Sequence, residues 1–302
     1  MRLSRLFHSK MITIKFINSE DIIRSILFVF AVTSVFIILL IILFLFKEGL
    51  QIFEEKGLLN FILGAEWDPV KGEFGALPFI LCSILITLGA LIIAVPLGVS
   101  CAIFLVEIAP KWAKDIVRPA IELLAGIPSI VHGLFALMII VRLIKVTFSL
   151  PTGETILAGS IILAIMILPI IISISQDSLE AVPREYKEGS LALGATDWQT
   201  IKNVLLPSSM PGIMAGTILG MGRAIGETMA VVLVLGNVEK IPTSLLEPGE
   251  ALTSAILLEM GEAIVGSMHY SALFALGIVL FFIVLVLSLI SDVLLIKYNI
   301  RR

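Results

Sequence analysis

Residues 211–236 read PGIMAGTILGMGRAIGETMAVVLVLG, an apolar run that carries only two charges, Arg223 and Glu227. A helix of about 20 residues crosses a hydrocarbon core, so this run is long enough to span a membrane. Read as a helix entering from the cytoplasm, it puts Arg223 about 18 Å deep, near the middle of a core about 30 Å thick. An arginine at that depth is costly against lipid and must face protein or water. Gly212, Gly216 and Gly220 are four apart, a stripe of small residues that lets another helix approach closely. Arg223 follows Gly216 by seven residues, as Glu227 follows Gly220, so both charges are expected on the glycine stripe, pointing into a bundle. Their i, i+4 spacing is expected to bring them within reach of each other.

The rest of the chain fits the membrane class. Of its 302 residues 58% are hydrophobic and 15% charged, with a mean hydropathy of +1.09. Further long apolar stretches lie at about 23–46, 78–106, 119–141, 155–175 and 271–296, which makes six spans with 211–236. The first is expected to remain as an uncleaved anchor, since its apolar run exceeds a signal h-region and no A-x-A site follows. Lys and Arg divide fourteen to six in favour of one side, the side that holds both ends of the chain. That side is therefore expected to be cytoplasmic.

The remaining inventory is mostly exclusion. A net charge of −3 without a basic block gives no sign of nucleic-acid binding. Cys82 and Cys101 share one span, roughly 28 Å apart if it is helical, too far to bridge. The three histidines are scattered, and no metal-ligand spacing occurs. No G-x-x-x-x-G-K-[ST] loop is present, so no ATP site of this chain's own is expected. GMGRAIG lacks the third glycine position of a dinucleotide fingerprint and lies within a span rather than after a strand.

Residues 1–21 read as a short cytoplasmic surface segment, ahead of a permease-like membrane domain over 22–302. Phe61 and Trp67, in the outer loop 47–77, are expected at the membrane interface. Pro96 and Gly98 are expected to kink the second span, and Gly126, Pro128 and Gly133 to break the third. The outer loop 237–270 has an apolar portion that either dips into the bilayer against protein or stays outside.

The longest inner loop, about 176–210, is ordered in pattern. VPREYKEGSLALG reads as a helix opening at Pro183 and stopping at Gly194. Thr196 and Gln199 have capping-box spacing for a second helix, which Pro207 is expected to end. Such a helix–turn–helix is either a docking surface or an amphipathic pair lying on the membrane.

Residues 188–207, EGSLALGATDWQTIKNVLLP, resemble the EAA loop of ABC-transporter permeases, E-A-A-x₃-G-x₉-I-x-L-P. Glu188, Gly194, Leu206 and Pro207 match, while Gly189 and Ser190 stand for the two alanines and Val204 for the isoleucine. More narrowly, GAEWDPVKGEFGALPF, GIPSIVHGLF, GRAIGETMAV and GSMHYSALF resemble the PstC-type permeases of phosphate importers. The resemblance implies an all-α polytopic membrane protein with the type I ABC importer permease fold, in a prokaryotic cytoplasmic membrane. It implies a PstA-type permease partner, two PstB-type ATPase subunits that bind the ATP and magnesium, and an extracytoplasmic phosphate-binding protein. It makes Glu188, Gly189, Ser190 and Gly194 ATPase-coupling positions.

For Arg223 and Glu227 two readings stand side by side. They form a buried pair that fixes helix packing, or Arg223 offers a forked donor to an oxyanion in transit. Glu227 then either balances Arg223 in the empty path or accepts a proton from phosphate. Thr228 adds a hydroxyl to the same stretch, and Glu122 and His132 line the path or satisfy local backbone. Permeases for sulfate or molybdate, and ion-coupled secondary carriers, are the alternatives.

Overall fold

The computed structural model describes the backbone of residues 19–300 and the side chains of residues 23–290 and 293. The surface segment expected over 1–21 lies almost entirely outside the described residues. The regular elements of the described chain are helices apart from one two-stranded hairpin. In order it contains α1 (Ser19–Lys56), α2 (Leu58–Leu63), β1 (Trp67–Asp68), β2 (Glu73–Phe74), α3 (Leu77–Ile103), α4 (Lys111–Gly126), α5 (Ser129–Phe135) and α6 (Arg142–Thr147). Then come α7 (Ile156–Glu180), α8 (Arg184–Ala192), α9 (Asp197–Thr200), α10 (Leu206–Gly226), α11 (Met229–Val232), α12 (Leu252–Glu259) and α13 (Met268–Ile300). Three π-helical stretches, Phe104–Ile108, Ala136–Val141 and Ile201–Leu205, extend their neighbours. Among the described residues six helices are long and apolar enough to cross a membrane.

The chain separates into a unit that ends at Leu45 and one that runs from Phe46. Residues 23–45 of the first are one continuous helix whose side chains are largely exposed, as suits a lipid-facing surface. The centre of the second unit is α3 against α7 and α7 against α10. Glycines make these approaches close. A β-carbon on Gly216 would lie 3.0 Å from Ile174 Cβ, and one on Gly220 would lie 3.3 Å from Ile171 Cγ1. The glycine stripe of α10 therefore does what its spacing predicts, and its partner is α7.

The third and fifth spans run differently from their apolar profiles. Helix α4 stops at Gly126, and Ile127 and Pro128 are extended, so the membrane-crossing helix begins at Ser129 and reaches Thr147. Proline at 128 forces its predecessor out of the helical region. The fifth span runs earlier than 211–236, as a helical stretch from Asp197 to Gly226. Pro207 does not end its helix. The π turn just before it closes with the Leu206 N–H on Ile201 O and widens the helix where the proline ring would crowd the preceding turn.

Away from the α8–α9 loop, Phe61 and Trp67 are core residues rather than interface anchors. Trp67 meets Phe74 and Phe79 edge to face, and its indole N–H donates to Glu259 at 3.0 Å. A polar tip that finds an internal partner lets the ring leave the interface. The apolar part of the 237–270 loop is helix α12, with Leu252, Thr253, Ser254 and Ala255 buried against protein. The Ser271 hydroxyl donates to Glu48 O at 2.7 Å and accepts from Ile52 N–H at 3.2 Å, which pins the outer end of α1 to the start of α13.

Candidate functional site

Helix α10 carries Arg223 into the membrane and ends three residues later. Gly226 is its last residue, and Glu227 is extended at φ −72°, ψ 130°. Thr228 precedes the short helix α11, so Glu227 and Thr228 form a two-residue break inside the run that reads as one span. Irregular backbone at this depth needs internal partners. Thr253 Oγ1, from the first turn of α12, donates to Glu227 O at 2.9 Å. The Glu227 carboxylate accepts from Ala230 N–H at 3.4 Å, and Thr228 Oγ1 donates to Gly226 O at 3.4 Å.

The break changes the geometry of the charges. With Glu227 out of the helix, the i, i+4 pair does not form: among the described residues Arg223 has no ion pair or hydrogen bond. Arg223, Glu227 and Thr228 are each part-exposed rather than buried under the glycine face. Arg223 sits in the last helical turn, where the helix dipole favours a cation. Its guanidinium fork is thus held at a helix end with its donors unspent. Chemically the arrangement offers a forked cation, a separate carboxylate and a hydroxyl within six consecutive residues, beside a helix break.

The other in-span candidates part company. Glu122 lies exposed on α4, before the break in the third span. His132 is 6% exposed on α5, and neither ring nitrogen finds a partner among the described residues. It does not satisfy local backbone.

At the ends of the fourth and fifth spans, α8 and α9 form the helix–turn–helix. Gly194 has φ +85°, the left-handed stop between them. The capping box is complete: Gln199 N–H donates to Thr196 Oγ1 at 3.3 Å and Thr196 N–H to Gln199 Oε1 at 2.9 Å. Glu188 and Gly189 lie exposed on α8, and Ser190 shares a 2.9 Å hydrogen bond with Thr200 that ties the two helices. Leu179, Ile201 and Leu205 pack with Ala102 into an apolar seat that joins the loop to the inner ends of α3 and α7. Lys187 pairs with Glu107 at the end of α3, and Arg118 of α4 pairs with Glu180 of α7. The Thr253, Lys187 and Arg118 contacts leave no trace in the sequence, because each joins residues far apart in the chain with no spacing rule between them.

Six apolar helices long enough to cross a membrane, a central α3–α7–α10 packing, a helix broken beside an arginine unpaired among the described residues, and a helix–turn–helix that leads into the fifth span together define, for the described residues, a multi-pass membrane transport subunit. The chain belongs to the family described as binding-protein-dependent transport system inner membrane component, whose model matches residues 94–297. It is 44% identical over 262 residues to the probable ABC transporter permease protein YqgH of Bacillus subtilis (strain 168), covering 85% of this chain and 83% of that one. It is 38% identical over 261 residues to the phosphate transport system permease protein PstC of Mesorhizobium japonicum, covering 80% of each. Among solved structures, a bacterial alginate ABC transporter in complex with a periplasmic protein bound to an alginate pentasaccharide aligns with a TM-score of 0.58 at 18% identity. That alignment covers 91% of this chain and 96% of the other, and it supports the type I ABC importer permease fold.

Proposed function

We propose that this chain is a permease subunit of an ATP-driven phosphate importer, moving inorganic phosphate into the cytoplasm by alternating access. The observation that carries the reading is the likeness to PstC permeases over four fifths of the chain. In this reading the subunit pairs with a PstA-type permease. One of two PstB-type ATPases docks on the α8–α9 loop, the two together hold the ATP and magnesium, and an extracytoplasmic phosphate-binding protein delivers substrate to the outer loops. The setting is the cytoplasmic membrane of a prokaryote, with both termini inside, in keeping with the distribution of Lys and Arg.

Arg223 is the residue assigned to the anion. Its part-exposed guanidinium, unpaired among the described residues, suits bidentate contact with a tetrahedral oxyanion. Glu227 and Thr228 complete the polar stretch of the path. Glu188, Gly189, Ser190 and Gly194 shape the ATPase-docking helix pair. The test is anion uptake by the reconstituted four-component complex. Phosphate uptake that sulfate and molybdate fail to compete is expected, together with its loss in an assembled Arg223→Gln complex. Preferential sulfate or molybdate uptake, or wild-type uptake by Arg223→Gln, overturns the reading.

A further inference from the structure

The coupling helix α8 packs mainly on α9 and the π turn after it, the first turns of the helical stretch that becomes the fifth span. A cavity of about 610 Å³ opens between α8 and the inner ends of α3 and α7. At its wall Lys187 Nζ pairs with Glu107 Oε2, a polar contact from α8 to the end of the second span. The Glu107 side chain is 11% exposed and that of Lys187 40%, so the pair is shielded more than a surface pair is. Glu107 does not stand on regular helix. It lies in the π turn Phe104–Ile108 that ends the second span, closed by Ala109 N–H on Phe104 O at 2.7 Å. Lys114 of α4 donates to Val106 O in the same turn at 3.2 Å. A π turn is an uncommon interruption of an α-helix, frequent at functional sites.

We infer that Lys187 and Glu107 are a positioning pair that ties α8 to the π-helical end of α3, so that displacement of the coupling helix is passed to the transmembrane core. The inference rests on the reading of the α8–α9 loop as the ATPase contact. From α3 the displacement reaches α7, and from α7 it reaches α10 and Arg223, because these helices pack along their lengths. Interdigitated helices respond to a push as bodies rather than by local deformation. The apolar seat of Ala102, Leu179, Ile201 and Leu205 holds the second helix of the loop, and the ion pair holds the first. Both halves of the loop are then attached to the spans.

The test is a charge swap in the complete transporter reconstituted in liposomes, read as phosphate moved per ATP hydrolysed. Lys187→Glu and Glu107→Lys should each assemble and hydrolyse ATP but move about fivefold less phosphate per ATP, and the double swap should return to within about twofold of wild type. A merely structural contact would lower thermal stability without changing that ratio. Wild-type ratios in the single variants, or a double variant no better than the singles, overturn the inference. Should a single reversal fail to assemble, Glu107→Gln with Lys187→Met removes both charges without leaving one unpaired. A lowered ratio supports the pair, and an unchanged ratio overturns it. The underlying loop assignment fails differently: a Gly194→Val complex with undisturbed ATPase association and hydrolysis would sink it, whatever the swap shows.

Discussion

Gly98 of α3 and Ile171 of α7 are in contact that leaves no room for a β-carbon, since one built on Gly98 would lie 2.7 Å from Ile171 Cγ2. The same isoleucine meets Gly220 of α10, where a β-carbon would lie 3.3 Å from Cγ1. Ile171 is therefore a knob held between glycines of two helices. Gly98→Ala should destabilise the complex by about 1–3 kcal/mol, the usual range for overpacking. Ile171→Ala opens the space that the new methyl needs, so the double variant should melt higher than the sum of the two losses predicts. Strict additivity of the melting shifts would mean the helices re-space without strain.

Gly194 and Gly189 lie five residues apart in one loop and should respond in opposite directions. A β-carbon meets nothing within 4 Å at either position, so packing decides neither. Gly194 has φ +85°, and a left-handed conformation costs an L-residue about 1–2 kcal/mol. Gly189 is inside α8, where alanine is favoured by up to about 1 kcal/mol. Gly189→Ala should hold or raise the melting temperature and Gly194→Ala lower it, with Gly194→Asn in between. Equal shifts at both sites would remove the backbone explanation.

This loop is also where the sequence was most legible. Capping and helix-stop rules act within a few residues, so Thr196, Gln199 and Gly194 disclose their structure unaided. The spans were legible through hydropathy, which reports length and lipid compatibility. Hydropathy is blind to a helix end inside an apolar run, and so Gly226 and Glu227 read as continuous helix. Trp67 read as an interface residue because its partner, Glu259, is 192 positions away. Contacts at such separations leave no periodic trace in a single sequence.

Glu250 supplies a pH dependence. It lies in the outer loop, 4% exposed, and burial with repulsion from Glu259 and Glu239 pushes its carboxyl up to about 8. Below its ordinary value of 4.5 the group is neutral in both folded and unfolded chains. Above that value the unfolded chain releases its proton while the folded chain keeps it until about 8. The folded state binds more protons across this window, so stability falls as pH rises through it. Glu250→Gln should remove this decline, so the melting difference between variant and wild type should grow in the variant's favour towards about 8. Parallel pH profiles for the two would show that Glu250 ionises freely.

His132 keeps both ring nitrogens buried and unpartnered among the described residues. A buried donor or acceptor without a partner costs about 1–3 kcal/mol. His132→Phe, which retains an aromatic ring, should therefore raise the melting temperature of the complex. A fall instead would show that the imidazole gains a hydrogen-bond partner from another subunit once the transporter is assembled.

Glu227 separates two roles for a carboxylate beside the anion path. Its Oε1 accepts from Ala230 N–H at 3.4 Å, a bond that glutamine's amide oxygen can also accept. Glu227→Gln should therefore keep the local fold and change the charge alone. Since Arg223 and Glu227 make no ion pair across the helix break, the carboxylate acts on the path through its field rather than through contact. Losing that field leaves Arg223 uncompensated, so an arriving phosphate should be held longer and released more slowly. Uptake falls, retained phosphate rises, and competition by sulfate stays as it was. A carboxylate that instead accepts a proton-borne hydrogen bond from phosphate would lose roughly half the strength of that bond as glutamine. Sulfate would then compete better while retention stayed constant. Measuring retained phosphate and sulfate competition on the same Glu227→Gln complex distinguishes the two outcomes, and we expect longer retention with unchanged selectivity.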